Sequence, residues 1–219
     1  MAEASARARL RRKPSRGAYD GAAIDAVLDA GLVAHVGFAV DGQPFVIPTL
    51  YARVGETVYL HGSSASRMLR ELSQGVPACL TVTLVDGLVL ARSAFHHSMN
   101  YRSAVVFGTA TAIADPDEKA VAVEAFMDRL TPGRWGDVRP PTARELKATA
   151  VLSLGIEEAS VKVRSGPPGD DADDVELDVW AGVVPLQLAA LAPEPDPHCR
   201  PDLPLPSYVS DWVRARSAG

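Results

Sequence analysis

Residues 41–68 read DGQPFVIPTLYARVGETVYLHGSSASRM. Asp41-Gly42 is a strong hairpin signal, and both flanks are rich in β-branched and aromatic residues. QPFVIPTLYARV is therefore predicted as a return strand, Gly55 as the next turn, and TVYLHG as a third strand. Pro48 interrupts the return strand. It has no N–H to give a ladder, so it marks an edge, a bulge, or a place where something other than a strand lies alongside. The period then changes. In SSASRMLRELSQG, Met68 and Leu72 share a helical face, and Ser63 or Ser64 is predicted to cap the helix. A strand ending at Gly62, a Ser-rich turn and a helix start together form an anion site. The first helical N–H groups have no intrahelical partner, the dipole end is positive, and Arg67 adds a bidentate cation. That chemistry suits a phosphate monoester; Ser at a helix start also serves as a plain cap.

Upstream, Ile24, Val27, Leu28 and Leu32 recur at helical spacing after a capping Asp20, Gly31 is predicted to end the helix, and LVAHVGFAV reads as the first strand of the hairpin. Downstream, PACLTVTLVDGLVLARS reads as strand, Asp-Gly turn, strand, and SAVVFGTATAIA as another strand. Asp115-Pro116-Asp117-Glu118 starts a helix whose buried stripe is predicted as Val123, Phe126, Met127 and Leu130. Thr142 and Glu145 form a capping box, and ATAVLSLGIEEASVKVRSG supplies one or two strands. Six to eight short antiparallel strands with helices between them predict a mainly β protein built as a barrel. The chain divides into a basic arm (1–18), a barrel domain (19–184) and a Pro-rich tail (185–219) packing on the barrel.

The 219 residues are 47% hydrophobic and 22% charged, enough for one sizeable core. A net charge of −5 argues against nucleic-acid binding. No apolar stretch of about 18 residues predicts a membrane span. Cys79 and Cys199 give neither a metal spacing nor a disulfide framework, which fits a reducing cytoplasm. In the arm, Arg12 or Arg16 is a candidate for folding back onto an anionic ligand. His96-His97 lacks a third ligand at a usable spacing, so no metal is expected. Nucleophile-elbow, Walker and dinucleotide-fold motifs are absent. His35, alone on an apolar strand, reads as a core or pocket residue.

DGQPFVIPTLY with VYLHGSSASRM, then SAFHHSMNYRSAVVFG, and SVKVRSGPP with WAGVVPL together resemble the pyridoxamine 5′-phosphate oxidase-like split-barrel flavoproteins. Within them, the pattern is similar to the nitroimidazole-resistance-related, flavin-nucleotide-binding branch. The resemblance implies an antiparallel Greek-key split β-barrel and a homodimer with FMN at its interface. It puts Ile47, Pro48, Thr49 and Leu50 along the isoalloxazine, and His61, Gly62, Ser63, Ser66 and Arg67 around the phosphate. Met68 stands where the oxidases carry a lysine, a loss that Arg16 or Arg164 would compensate. Tyr101 and Ser103 enter a central strand at the flavin, and Lys162, Arg164 and Trp180 reach it from the partner subunit. His96 and His97 line the pocket, one as a proton donor, or they only hydrogen-bond across their loop. The function implied is two-electron reduction of a small acceptor, nitroreductase-like, with a nicotinamide donor. The alternatives are a non-catalytic flavin carrier or sensor, or a split barrel holding deazaflavin or haem, with His35, His61, His96, His97 and His198 as possible axial ligands.

Overall fold

The computed structural model describes residues 5–217. The first four residues of the arm and the last two of the tail lie outside the described part. The Asp41-Gly42 hairpin forms as read: both residues take positive φ, 50° and 80°, joining β2 (Val33–Val40) to β3 (Gln43–Val54). β4 (Thr57–Ser63) follows. Then come β5 (Pro77–Leu90), β6 (Ser98–Thr109), β8 (Thr149–Gly155) and β9 (Glu158–Arg164). Three short strands, β1 (Gly17–Ala18), β7 (Thr111–Ala112) and β10 (Gly182–Pro185), complete ten among the described residues, more than the six to eight expected. The order is β1-β9-β6-β5-β2-β3-β4-β8-β7, with β10 added to β5, and the path stays open at both ends. Every pairing is antiparallel.

Alternation sets the core. Ala34, Val36, Phe38, Leu80, Val82, Ala104, Val106 and Val161 face inward and are buried. Two helices close the interior: α1 (Gly21–Ala30) through Ile24, Val27 and Leu28, and α2 (Arg67–Ser73) through Met68, Leu69 and Leu72. Asp20 caps α1 by accepting from the Ala23 N–H. Gly31 ends it in an extended conformation; a Cβ there would lie 2.3 Å from Val82 Cγ1.

Four readings need correction. The Asp86-Gly87 pair is not a hairpin. β5 runs through it as one strand, because both halves pair with β6, and the register shifts between Val85 and Gly87 as a bulge. The α2 cap position is Ser66, not Ser63 or Ser64. Ser63 Oγ instead accepts from the Ala65 N–H, and the Ser66 N–H donates to the Ser63 carbonyl, so the serines build a turn before the helix. On α3 (Pro116–Leu130), capped by Asp115, the buried residues are Ala122 and Phe126, whereas Leu130 at the fraying end is 38% exposed. The tail is not wholly extended: α6 (Ser207–Arg214) docks through Tyr208, whose hydroxyl donates to Asp137 and accepts from Arg134. The Thr142–Glu145 capping box forms at α4 (Ala143–Ala148) as expected, and the acidic stretch carries a one-turn α5 (Ala172–Val175).

Candidate functional site

Over Gln43–Leu50, β3 pairs with β2 alone; β4 takes its other edge only from Tyr51 onward. Pro48 sits in the half-paired stretch, opposite His35. The residues here alternate: Ile47 and Thr49 pair with inward-facing Val36 and Ala34, while Pro48 and Leu50 lie on the outer side with His35 and Val33. On the inner side the α2 turn comes up to this edge. The Arg67 guanidinium lies 5.3 Å from the Phe45 ring centroid, and Phe45 stacks on Phe38 at 5.4 Å. Phe45 is a site neighbour that sequence reasoning missed, and its place in period two with Ile47 was the available signal.

His61 follows inward-facing Leu60 and so lies on the outer side of β4, under α3. Its ring is 4.0 Å from that of Phe126. Nδ1 is fully buried and has no hydrogen-bond partner among the described residues. Burial pushes the His61 pKa below its ordinary value, so the ring is neutral near pH 7. The unprotonated nitrogen of a neutral imidazole accepts a hydrogen bond or ligates a metal. Ile47, Pro48, Thr49 and Leu50 lie on the half-paired part of β3, His61, Gly62 and Ser63 at the end of β4, and Ser66 and Arg67 at the start of α2.

The remaining candidates lie elsewhere on the sheet. Ser103 pairs with Lys162, and Tyr101 with Arg164, on the outer face of β6 and β9. Three strands, β2, β5 and β6, separate β9 from β3, so within one chain neither Arg16 nor Arg164 can take the place of a lysine at Met68. Arg164 is buried and donates to Asn100, to the Gly166 carbonyl at 2.7 Å and to the Pro167 carbonyl at 2.9 Å. Trp180 is 67% exposed just before β10 and leans on Gly182. His96 and His97 both use Nδ1 within their loop, on Ser93 Oγ and on the Ser93 carbonyl, each at 2.9 Å. His96 also lies 4.0 Å from Asp174. Asp170 completes a three-residue group there, but Arg92 already pairs with it. The edge of β3 is open surface on this single chain, with Val46 63% and Ile47 38% exposed. No helix is long and apolar enough to cross a membrane among the described residues.

Known proteins share this fold. The pyridoxamine 5′-phosphate oxidase family model matches residues 20–163, more than half of the chain. The flavocytochrome Anf3 from Azotobacter vinelandii is 47% identical, with a TM-score of 0.90 over 95% of this chain and 98% of its own. The FAD and haem binding protein from Mycobacterium smegmatis is 39% identical, with a TM-score of 0.87 over 90% of this chain and 97% of its own. A candidate 5-nitroimidazole antibiotic resistance protein from Bacteroides thetaiotaomicron, 23% identical with a TM-score of 0.55 over 67% of this chain and 86% of its own, shares the fold. No curated protein sequence matches the chain. The order of strands, the open β3 edge and the family match agree, and the chain belongs to the pyridoxamine 5′-phosphate oxidase family of split-barrel proteins.

Proposed function

We propose that this chain is an electron-transferring flavoprotein that works as a homodimer and carries a haem as a second group. The observation that carries the reading is His61: a half-buried, neutral imidazole whose Nδ1 has no partner among the described residues, near the end of β4 that leads into the Arg67 turn. This region has the means to hold two groups. On the inner side, the Ser66–Arg67 turn offers a cation to a flavin phosphate, and the unpaired backbone of Ile47–Thr49 offers donors and acceptors to a flavin ring. On the outer side, His61 supplies the type of ligand that haem iron takes. Two relatives of 47% and 39% identity are a flavocytochrome and an FAD and haem binding protein, which favours both groups over flavin alone.

A flavin brings two-electron chemistry and a haem one-electron chemistry; the protein contributes placement and electrostatics. Arg67 would orient the phosphate end, and Phe45 beneath it holds the guanidinium in place. Phe126 packs on the His61 ring, and burial keeps that ring unprotonated. A second copy of the chain fits the outer sheet face. Met99, Leu88 and Val184 are cross-strand neighbours on β6, β5 and β10, and all are more than 40% exposed. An apolar row of that kind on three adjacent strands is normally covered.

The test is reconstitution. The purified chain, given flavin and haemin, is expected to show flavin bands and a Soret band. Arg67→Ala should weaken flavin binding by about 1.5–3 kcal/mol, the worth of a charge-assisted phosphate contact. His61→Ala should abolish the Soret band. Unchanged flavin affinity in the first variant removes Arg67 from the site; a Soret band that persists in the second removes His61 as ligand.

A further inference from the structure

His96 has no third ligand near it in sequence, but the fold brings two carboxylates to it. It lies in the single turn Ala94–His96 that precedes β6, while Asp170 and Asp174 come from the acidic stretch 169–178, GDDADDVELD. One ligand atom from each of the three residues lies within 4.8 Å of the other two, and His96 Nδ1 is 4.0 Å from Asp174 Oδ2. Asp170 anchors the group. Its side chain is only 3% exposed; one oxygen accepts the Arg92 backbone N–H at 3.0 Å, and the other accepts the Arg92 guanidinium at 2.9 Å. His96 and Asp174 form the mouth, with side chains 22% and 28% exposed. The Asp174 carboxylate meets no other basic side chain within 4.0 Å among the described residues. The stretch holds six carboxylates and no Lys or Arg, and Arg92 forms the one full ion pair with it among the described residues. Negative charge is in excess beside an imidazole, and both are ligands that a divalent metal takes.

We propose that His96, Asp170 and Asp174 bind a zinc ion that ties the acidic stretch to the turn before β6. The site stands apart from the flavin and haem readings and does not depend on them. An imidazole with two carboxylates suits zinc, whereas calcium and magnesium take oxygen ligands. Zinc bonds of about 2.0–2.2 Å place neighbouring ligand atoms of a tetrahedron about 3.3–3.5 Å apart, so the group closes on the metal by a contraction of roughly 1 Å. His96 and Asp174 supply that movement, since each sits in a single helical turn and is partly exposed. Arg92 does not spend Asp170. Each carboxylate oxygen keeps a lone pair, and a ligating carboxylate is commonly held by an outer hydrogen bond. Ser93 Oγ lies 2.9 Å from His96 Nδ1. In the tautomer with Nδ1 bare, the hydroxyl donates to that nitrogen, and the metal takes the same lone pair in its place. Water fills the fourth position at the open mouth.

Calorimetric titration of the untagged, metal-free full chain with zinc chloride tests this. The wild type should bind zinc, and zinc should raise its melting temperature. His96→Ala and Asp174→Asn should each weaken binding by at least about ten-fold, which even an outer-shell partner is worth. Both side chains are partly exposed, so the metal-free variants should melt where the metal-free wild type does, which separates lost binding from lost folding. His97→Ala and Cys199→Ser should hold zinc affinity within about two-fold. His97 spends Nδ1 on the Ser93 carbonyl, and Cys199 is exposed in the tail. A wild type that binds no zinc, full affinity in either ligand variant, or an equal loss in His97→Ala overturns the site. Calcium binding as tight as zinc binding, and indifferent to His96→Ala, overturns it as well.

Discussion

His61 combines a structural cost with a functional promise. Its burial is unfavourable to the charged ring, so the folded chain takes up this proton at lower pH than the unfolded chain, whose ordinary value is 6.5. Stability rises with pH wherever the unfolded state binds more protons. The His61 contribution is therefore complete above about pH 6.5 and is lost as pH falls from there toward the lowered folded value. Glu145 acts in a separate window: the Arg139 hydrogen bond, with those of Thr142, holds it at about 2, so its contribution stays intact until pH drops below the ordinary 4.5. Melting curves of the apo chain between about pH 7.5 and about pH 5 should show the melting temperature falling, and His61→Asn should flatten that fall. An identical slope in the variant would assign the loss to other groups. At this scale the sequence was partly legible. Arg67, His61 and Pro48 were visible because each breaks a local pattern. Phe45 was not, since its importance comes from what the fold lays beside it.

The elements were legible wherever a local signal stood alone. Asp41-Gly42, Asp20, Asp115 and the Thr142–Glu145 box each sit where the local rule puts them. Asp86-Gly87 carries the same dipeptide as the true hairpin and does something else, because its flanks find a common partner in β6 that a local reading does not include. Gly87 is needed there for closeness rather than for a turn: a Cβ would lie 2.9 Å from the Val184 carbonyl oxygen and 3.0 Å from Val183 Cγ1. Gly87→Ala should push β10 off β5. The expected cost is about 1–3 kcal/mol, typical of inserting a methyl into a close contact. Hydrogen exchange should show β10 amides losing protection while β9 keeps its own. Protection retained at Val183–Pro185 would mean that the strand absorbs the methyl without moving.

For the molecule as a whole, the open edge was legible through one residue alone. Pro48 hinted that something other than a strand lies beside β3, and the ladder confirms a half-paired stretch. What faces that stretch depends on residues from α2, β4 and α3 brought together only by the complete sheet. Met99, Leu88 and Val184 form an exposed apolar row across three strands, and Phe95 and Trp180 are 88% and 67% exposed; such a row is a candidate surface for a second copy. A partner copy laid on that face would also bring a second set of sheet residues toward the bound groups. Sedimentation velocity, followed at flavin absorbance on the reconstituted chain, tests this account most directly. The account predicts that the flavin signal travels with a two-chain species at one flavin per chain; flavin sedimenting with single chains, or remaining free, would contradict it.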